Sequence, residues 1–522
     1  MARAITITIL ILALALTSLQ RSAGAMFQEE LIYHPIKTDM EGNIIPWFSP
    51  DLGKAYDHNI RLVWDFWKNM RLCPNGVKYY MQHQVWKKRA DDPNGLGGDQ
   101  LSMALSSWNL LHQYLGDASV KEDMIYIADY YIDHALSKPS DAWPNLPYPY
   151  NTDLHSGVYD GDMKAGRGYL QPDKAASFAS ELVMLYKLTG ARKYLDIAIR
   201  VADTLADKVT PGDADNSPWP YRVNAKTGEA HQVVKKGRAY IASYTANWAS
   251  ALRLYDDLIA LDEGRVADYE RALHMLVDWI KAYPLKTNQW GPFFEDVPTH
   301  RYSDTETNAD TMAAYILERP GWDTDWRHQA ASILNWSFAT FGNTGWVRYG
   351  VVPINEQTRY MVPGNSHTSR HASVELLFGE KTGDNSRKAD AIRRLNWATY
   401  MVDEDGKNRY PQNDIWLTDG YGDYVRHYLR AMASAPELAP DGQNHLLRTS
   451  SVIKSISYGS EMITYTKFDE DSKERFKLGA WEPWLITGGE MIWNATTKVL
   501  EVRATSRVVT IQALPAFPAD VN

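Results

Sequence analysis

The sequence predicts a mainly α fold, an (α/α) toroid of about six or seven helical hairpins with a small C-terminal β appendage. Apolar residues recur at the spacing of one helix face through most of residues 53–434. Short turns alternate with long polar loops between these helices. From about residue 447 the apolar period changes to the alternation of β-strands. We therefore expect an (α/α)-barrel domain at 26–440 and a small β-rich segment at 441–522.

The chain begins with an apolar run that predicts secretion. Residues 4–19, AITITILILALALTSL, follow Arg3 and precede the small residues AGA at 23–25. This arrangement is typical of a secretory signal peptide, and the apolar run is short for a membrane span. We expect residues 1–25 to be removed, the protein to be secreted or periplasmic, and no membrane span to follow.

The helical hairpins are predicted from period and end signals. In QPDKAASFASELVMLYKLTG, 171–190, apolar residues follow one helix face, Pro172 suits the first turn and Gly190 ends the helix. A second helix follows at once, so the two form a hairpin. Further hairpins are predicted at 99–116 with 120–137, 241–261 with 265–283, 308–318 with 324–340 and 368–382 with 384–402, and a last helix at 418–433.

Five long loops separate the hairpins, and they predict where a cleft lies. They cover 138–171, 210–240, 284–307, 341–367 and 403–417. In a ring of hairpins, short turns fall on one side and long loops gather on the other. The loops are therefore expected to line a cleft on one face of the toroid. A helical solenoid is the alternative, although its repeats are usually more alike in sequence.

Composition limits the class of partner. The formal net charge is −9 at pH 7, which argues against nucleic acid, whose binding needs a broad basic face. The single cysteine, Cys73, excludes an internal disulfide. The chain has 19 Trp, 31 Tyr and 12 Phe, many of them beside Gly, Pro or Asn in the predicted loops. Such aromatic loops are expected to stack on sugar rings.

Four loop-to-helix junctions carry more polar side chains than a helix cap requires. The first, 148–174, contains Asn151 and His155 in a long loop without apolar filling. Loops of this kind are usually functional or mobile. In the second junction, Arg238 and Tyr244 lie about the predicted start of a helix.

The third and fourth junctions contribute cations, a phenol and imidazoles. RYSDTETNADTMAAYIL, 301–317, places Arg301 and Tyr302 ahead of a helix. RYMVPGNSHTSRHASVELL, 359–377, supplies Asn365, His367, Arg370 and His371. The two histidines are four residues apart, a spacing that can hold a metal, but the further ligands of a zinc site are absent from the pattern. We therefore predict neither a metal nor another cofactor.

Together, these residue types suit β-elimination on a uronic acid. The reaction requires neutralisation of the carboxylate, a base for the neighbouring proton and an acid for the departing oxygen. A tyrosine becomes a plausible base when a cation lowers its pKa from about 10. We expect Tyr302, His155 and Tyr244 to transfer protons. The residues expected to bind substrate are Asn151, Arg301, Arg238, Asn365, His367, Arg370 and His371.

The signal peptide, the hairpin sequence LYKLTGARKYLDIA at 185–198 and the Asn/His/Tyr/Arg loops resemble the secreted (α/α)-barrel polysaccharide lyases. Polysaccharide lyase family 38 is the nearest likeness, over roughly residues 50–435. The resemblance implies an anionic polysaccharide partner of the glucuronan or alginate type. It also implies that Tyr302 with Arg301, and Asn151 with His155, surround the uronate carboxyl group.

Three other functions stay open at this point. A glycoside hydrolase of the same fold needs two carboxylates about 5 to 10 Å apart. The candidates are Asp160 or Asp162 on one loop and Asp304, Glu306 or Asp310 on another. The stretch NADTMAAYIL, with Asp310, resembles a helix start of unsaturated glucuronyl hydrolases. The remaining alternatives are a sugar epimerase using His155 and His371, and a glycan-binding protein without catalysis.

Overall fold

A computed structural model describes residues 34–70, 72, 76–78, 98–152, 156–294, 303–408 and 421–513. Its long helices are α1 (Leu52–Lys68), α2 (Gly98–Leu115), α3 (Ala118–Ala135), α4 (Pro172–Thr189), α5 (Arg192–Lys208), α6 (Ala249–Ala260), α7 (Val266–Ala282), α8 (Glu306–Glu318), α9 (Trp326–Phe341), α10 (Asn365–Thr382), α11 (Lys388–Thr399) and α12 (Tyr421–Ser434). Shorter helical turns are Pro284–Thr287, Pro320–Trp322, Thr344–Tyr349 and Pro436–Leu438.

The helices form two concentric rings. The even-numbered helices α2, α4, α6, α8, α10 and α12 pack side by side, and α12 returns to α2 to close the inner ring. Each odd-numbered helix lies outside as the partner of an inner one, and α1 pairs with α12 across the two ends of the domain. The predicted (α/α) toroid is thus confirmed; in the described ranges it consists of five hairpins of consecutive helices and the α1–α12 pair.

Local signals mark both ends of one helix. Helix α4 begins with Pro172 and ends at Gly190, whose φ of 76° is left-handed and whose N–H donates to the Tyr186 carbonyl. The helix predicted from residue 241 is an exception, because it begins only at Ala249. Residues ahead of it form a hairpin of β5 (Gln232–Lys235) and β6 (Arg238–Ile241) instead.

The order of elements places all long loops at one end of the barrel. The inner helices α2, α4, α6, α8 and α10 each pass into the outer partner through a short turn, such as residues 116–117 between α2 and α3. The long loops then lead back to the N-terminal ends of the inner helices. They carry short strands: β1 (Gly161–Asp162), β2 (Gly166–Arg167), β3 (Tyr169–Leu170), β4 (Val223–Asn224), β7 (Asn355–Gln357) and β8 (Tyr360–Pro363).

The C-terminal segment is a β-sandwich. Its strands are β9 (His445–Thr449), β10 (Ile453–Tyr458), β11 (Met462–Lys467), β12 (Ser472–Lys477), β13 (Pro483–Thr487), β14 (Gly489–Asn494), β15 (Val499–Ala504) and β16 (Val508–Ala513). They form two antiparallel sheets, in the orders β10-β11-β16-β13 and β14-β15-β12-β9. Buried side chains of both sheets, among them Tyr465, Phe476 and Ile511, share one apolar core.

The sandwich packs on the C-terminal end of the inner ring. The Tyr458 hydroxyl donates to the Gln113 carbonyl, and His445 Nδ1 lies 2.9 Å from the Tyr114 carbonyl, both at the end of α2. The carboxylate of Glu380, near the end of α10, forms ion pairs with guanidinium groups of the sandwich. None of the helices in the described ranges is long and apolar enough to span a bilayer.

Candidate active site

A cavity of about 560 Å³ follows the axis of the inner ring. All six inner helices line it, together with residues 447–451 of the sandwich at the far end. On α10 it extends from Arg370 to Lys381, which corresponds to roughly 16 Å at 1.5 Å per residue. The cavity has the size of a small-molecule pocket, and its near end lies where the long loops gather.

A carboxylate–histidine pair contacts Arg370, which lines this near end, although neither member of the pair is itself among the described residues that line the cavity. Thr305 caps α8 by accepting the Thr307 N–H, which places Glu306 in the first turn. Glu306 Oε1 lies 2.6 Å from His367 Nδ1, on the first turn of α10. Because Nδ1 faces a carboxylate, it carries a ring proton. Nε2 has no hydrogen bond to any residue that the structure describes.

Arg370 is held beside this pair and lines the cavity. It donates to Glu306 Oε1 at 2.8 Å and to the Thr307 hydroxyl at 2.9 Å, and it forms an ion pair with Asp423. Burial opposes its charge, but Asp423 and Glu306 outweigh burial and raise the pKa of Arg370. The guanidinium is therefore a fixed positive charge at the cavity wall.

A second carboxylate–histidine pair lies on α12. His427 Nε2 is 2.9 Å from Asp423 Oδ1, and Ser373 Oγ lies 3.3 Å from Nδ1. Burial, with the charges of Arg370 and Arg426, lowers the pKa of His427 well below its usual value in spite of Asp423. His427 lines the cavity as a neutral ring, so Arg370 is flanked by two imidazoles that each have a carboxylate partner.

The opposite wall of the near end adds a cation and an amide. Lys174, in the first turn of α4, is only 4% exposed, and its ammonium lies over the Phe293 ring. Asn247 Nδ2 donates to Asp173 Oδ2 at 2.8 Å. Lys174, Asn247 and Phe293 all line the cavity, so a ligand there meets positive charge on two sides.

Three of the predicted site residues lie in parts of the chain that the structure does not describe. Arg301, Tyr302 and His155 lie outside the described residues. Asn151 is described, is 6% exposed, and has no hydrogen-bond partner for either side-chain polar atom within the described ranges. The roles assigned to these four residues remain predictions.

Two residues of the second junction lie away from the cavity. Tyr244 is 1% exposed, and its hydroxyl donates to the Gln289 carbonyl at 2.5 Å. Burial raises its pKa, so the predicted proton transfer does not fit this environment. The prediction that Arg238 flanks a helix start is wrong, because the hairpin intervenes and leaves its side chain exposed over the Tyr240 ring.

The fourth junction divides between cavity and core. Asn365 donates to Asn408 Oδ1 at 3.0 Å and is mostly buried. His371 is fully buried, 2.8 Å from Asp310 and 3.4 Å from Glu375. Burial lowers its pKa, but the two carboxylates outweigh burial and raise it to about 9. His371 is not among the described residues that line the cavity, and neither is His367, one turn earlier, which contacts the cavity-lining Arg370; the substrate-binding roles of both histidines remain predictions.

The sequence reading missed Lys174, Asp423 and His427. The stretch YGDYVRHYLR places Asp423, Arg426 and His427 at i, i+3 and i+4, on one face of a predicted helix. This spacing is the sequence signal that could have identified Asp423 and His427 as site residues. Within the described ranges, no group of three or more His, Cys, Asp or Glu side chains is placed to hold a metal ion.

The chain was compared with known proteins. No protein-family model and no curated protein matches it. It is similar to the structure of cellobiose 2-epimerase from Spirochaeta thermophila, with 12% identity, 74% of this chain and 97% of that chain covered, and a TM-score of 0.54. It is also similar to cellobiose 2-epimerase from Bacillus thermoamylovorans, with 13% identity, 72% of this chain and 98% of that chain covered, and a TM-score of 0.53. At such identities the likeness shows the fold alone, and membership of lyase family 38 remains a prediction.

Proposed function

We propose that this protein is a carbohydrate-active enzyme, and specifically a lyase that cleaves a uronic-acid polysaccharide of the glucuronan or alginate type by β-elimination. The observation that carries the proposal is the contact of the Glu306–His367 pair with Arg370, whose guanidinium lines the loop end of the cavity. Structures of the same fold that bear the names of sugar epimerases support a sugar ligand. The signal-like residues 1–25 support action outside the cytoplasm.

Arg370 suits neutralisation of the uronate carboxylate. Loss of the proton from the carbon next to this group spreads negative charge onto the carboxylate oxygens. A charge fixed in advance stabilises that transition state without reorganisation. Arg370 is fixed by Glu306, Thr307 and Asp423, and Lys174 offers a second cation at the same end.

His367 suits the role of base. Its Nε2 takes the proton, the electron pair of the C–H bond forms the new carbon–carbon double bond, and the glycosidic C–O bond breaks. Glu306 holds Nδ1–H and stabilises the imidazolium that results, as the carboxylate does in a catalytic triad. The departing oxygen needs a proton from an acid. Tyr302, which the sequence assigns to proton transfer without fixing it as acid or base, is the residue we propose for this acid; it lies outside the described residues.

The carboxylates considered for hydrolysis have other partners. Asp162 forms a fully buried ion pair with Arg222 at 2.8 Å, and Asp310 lies 2.8 Å from His371. Glu306 accepts hydrogen bonds from an imidazole and a guanidinium. A hydrolase needs one carboxyl group that keeps its proton and another that faces water or sugar. These contacts occupy the three carboxylates, which supports elimination over hydrolysis by them. Asp304 differs, because it accepts the Trp290 and Gly291 N–H groups and burial raises its pKa, so it is the carboxyl group that a hydrolase would use.

An epimerase is the second candidate, favoured by one observation. His367 and His427 lie on either side of Arg370, and each has a carboxylate partner. Two imidazoles facing one carbon next to a carbonyl could remove a proton and return it on the other face. The substrate would then be a reducing sugar, and no bond between sugars would break.

Product analysis separates these functions. Purified protein is incubated with glucuronan, alginate, pectate and glycosaminoglycans, and with cellobiose. A lyase produces ultraviolet absorbance from a double bond conjugated to the carboxylate. A hydrolase releases reducing ends without that absorbance, and an epimerase changes cellobiose without cleaving it. Either of the latter results would overturn the lyase proposal.

Substitution of His367 tests the assigned base. His367→Ala is expected to lower kcat by roughly 10²- to 10⁴-fold, the usual contribution of a proton-transfer residue. The matched control is His274→Gln on the exposed face of α7, which should keep wild-type activity. Wild-type turnover by His367→Ala would show that another group removes the proton.

A further inference from the structure

Ser373, on α10, lies beside the carboxylate–histidine pair of α12. Its Oγ is 3.3 Å from Nδ1 of His427, and Nε2 of the same ring is 2.9 Å from Asp423 Oδ1. Ser373 and His427 both line the cavity, and Asp423 is buried. A hydroxyl, an imidazole and a carboxylate in this order form the arrangement that activates a serine as a nucleophile.

The protonation of His427 suits a general base. Burial lowers the pKa of His427 well below its usual value in spite of Asp423, so the ring is neutral and carries one proton. Because Nε2 faces the Asp423 carboxylate, that proton lies on Nε2. Nδ1 is left with a lone pair that can accept the proton of the Ser373 hydroxyl.

The Ser373 hydroxyl has a second acceptor within reach. Its Oγ lies 2.8 Å from the backbone carbonyl oxygen of Arg370. A hydroxyl proton rotates about the Cβ–Oγ bond, so it can turn from this carbonyl oxygen to Nδ1 of His427. Distances between a nucleophile and its base are often longer than about 3.2 Å when no substrate is bound. The separation of 3.3 Å therefore fits a serine and its base.

Positive charge lies on the same wall of the cavity. Arg370 precedes Ser373 by three residues on α10, so the two side chains share one face of the helix. Its guanidinium forms an ion pair with Asp423 Oδ2, and Arg426 donates to Oδ1. Attack on a carbonyl group places negative charge on the carbonyl oxygen, which a fixed cation stabilises. The cluster thus contains a hydroxyl, a base and a cation, the groups that acyl transfer requires.

We propose that Ser373 is the nucleophile of a second activity, the hydrolysis of a short acyl ester on a sugar hydroxyl group. Val374 and Leu377, which line the cavity on the same helix, suit the acyl group. The sugar as carrier of the ester rests on the proposed function, whereas the ester chemistry does not.

The reaction proceeds in two steps. Ser373 Oγ bonds to the ester carbonyl carbon while His427 Nδ1 takes the hydroxyl proton. The bond between that carbon and the sugar oxygen then breaks, and the sugar oxygen leaves with the proton. Water, with His427 again as base, hydrolyses the acyl-serine and releases the acid. Asp423 is a positioning residue, because it holds the imidazole with Nδ1 toward Ser373.

Two measurements on the full chain test the nucleophile without requiring cleavage between sugars. A fluorophosphonate, which phosphonylates activated serines, is expected to form an adduct on Ser373 that peptide mass spectrometry detects. The wild type should also hydrolyse para-nitrophenyl acetate. Ser373→Ala and His427→Gln should each lower kcat/KM for this ester by roughly 10²-fold or more, the usual contribution of a proton-transfer residue. Ser106→Ala, at a cavity-lining serine of α2, is the matched control and should keep wild-type rates.

Further variants and a sugar ester complete the test. Asp423→Asn should lower kcat for para-nitrophenyl acetate with an unchanged KM, because it alters the imidazole rather than ester binding. Release of acetate from acetylated glucuronan should be lost in Ser373→Ala. If acetate is released but no ultraviolet absorbance appears, the lyase function fails and the esterase stands. The absence of an adduct on Ser373, or ester hydrolysis by Ser373→Ala at the wild-type rate, would overturn the inference.

Discussion

The buried Asp310–His371 pair predicts that stability depends on pH. The two side chains are fully buried and 2.8 Å apart, and Glu375 lies 3.4 Å from the other ring nitrogen. Burial opposes the imidazolium, yet the carboxylates raise the pKa of His371 from 6.5 to about 9. The folded state therefore keeps a proton that the unfolded chain releases above pH 6.5. This stabilisation is complete below pH 6.5 and is lost as the pH rises through 9.

The size of the effect follows from the shift. At about 1.4 kcal/mol per pKa unit, a rise from 6.5 to about 9 corresponds to at most roughly 3 kcal/mol of unfolding free energy. Asp310→Asn removes the carboxylate that contributes most to the shift. The variant is expected to lose about 3 kcal/mol relative to wild type at pH 6, and much less at pH 9.5.

Urea unfolding followed by tryptophan fluorescence measures this difference at pH 6, 7.5 and 9.5. Subtracting the variant from the wild type cancels the other titrating groups. Asp262→Asn, an exposed carboxylate in a turn, is the matched control and should show no dependence on pH. A difference between wild type and Asp310→Asn that stays constant from pH 6 to 9.5 would refute the reasoning.

Two further predictions concern other buried charges. Arg222→Met leaves the Asp162 carboxylate buried without its cation and should lower the unfolding free energy by roughly 3 to 5 kcal/mol in urea; a loss below about 1 kcal/mol would contradict this. Burial raises the pKa of Glu181 to about 7, against the opposing charges of Arg426, Arg430 and Arg253. Ionisation of Glu181 therefore lowers the unfolding free energy as the pH rises from 4.5 through 7. Glu181→Gln should be more stable than wild type at pH 8, by up to about 3 kcal/mol, and equal to it near pH 4.5. Equal unfolding midpoints at pH 8 would exclude the second prediction.

The toroid could be predicted because its signals are local. An apolar period of 3.6 residues, a proline in the first turn and a glycine after the last turn act within one helix, as Pro172 and Gly190 do for α4. The sequence of short turns and long loops then fixes which end of the ring receives the loops. Helix α1 was not assigned as a hairpin partner, because its partner, α12, lies at the other end of the domain.

The site depended on contacts that no local pattern contains. His367 and His371 are one turn apart on α10 and each has an acidic partner on α8, yet His367 contacts Arg370 of the cavity wall, whereas His371 lies between Asp310 and Glu375. Which of them meets a ligand depends on how the inner helices are rotated against each other and against the outer ring. The amino-acid sequence by itself determined the five consecutive hairpins and the side of the loops. Only the packed double ring decided that Glu306, His367, Arg370 and Asp423 meet. His367 and Arg370 are close in the chain, but each contact with Glu306 or Asp423 joins residues that are 53 to 64 positions apart.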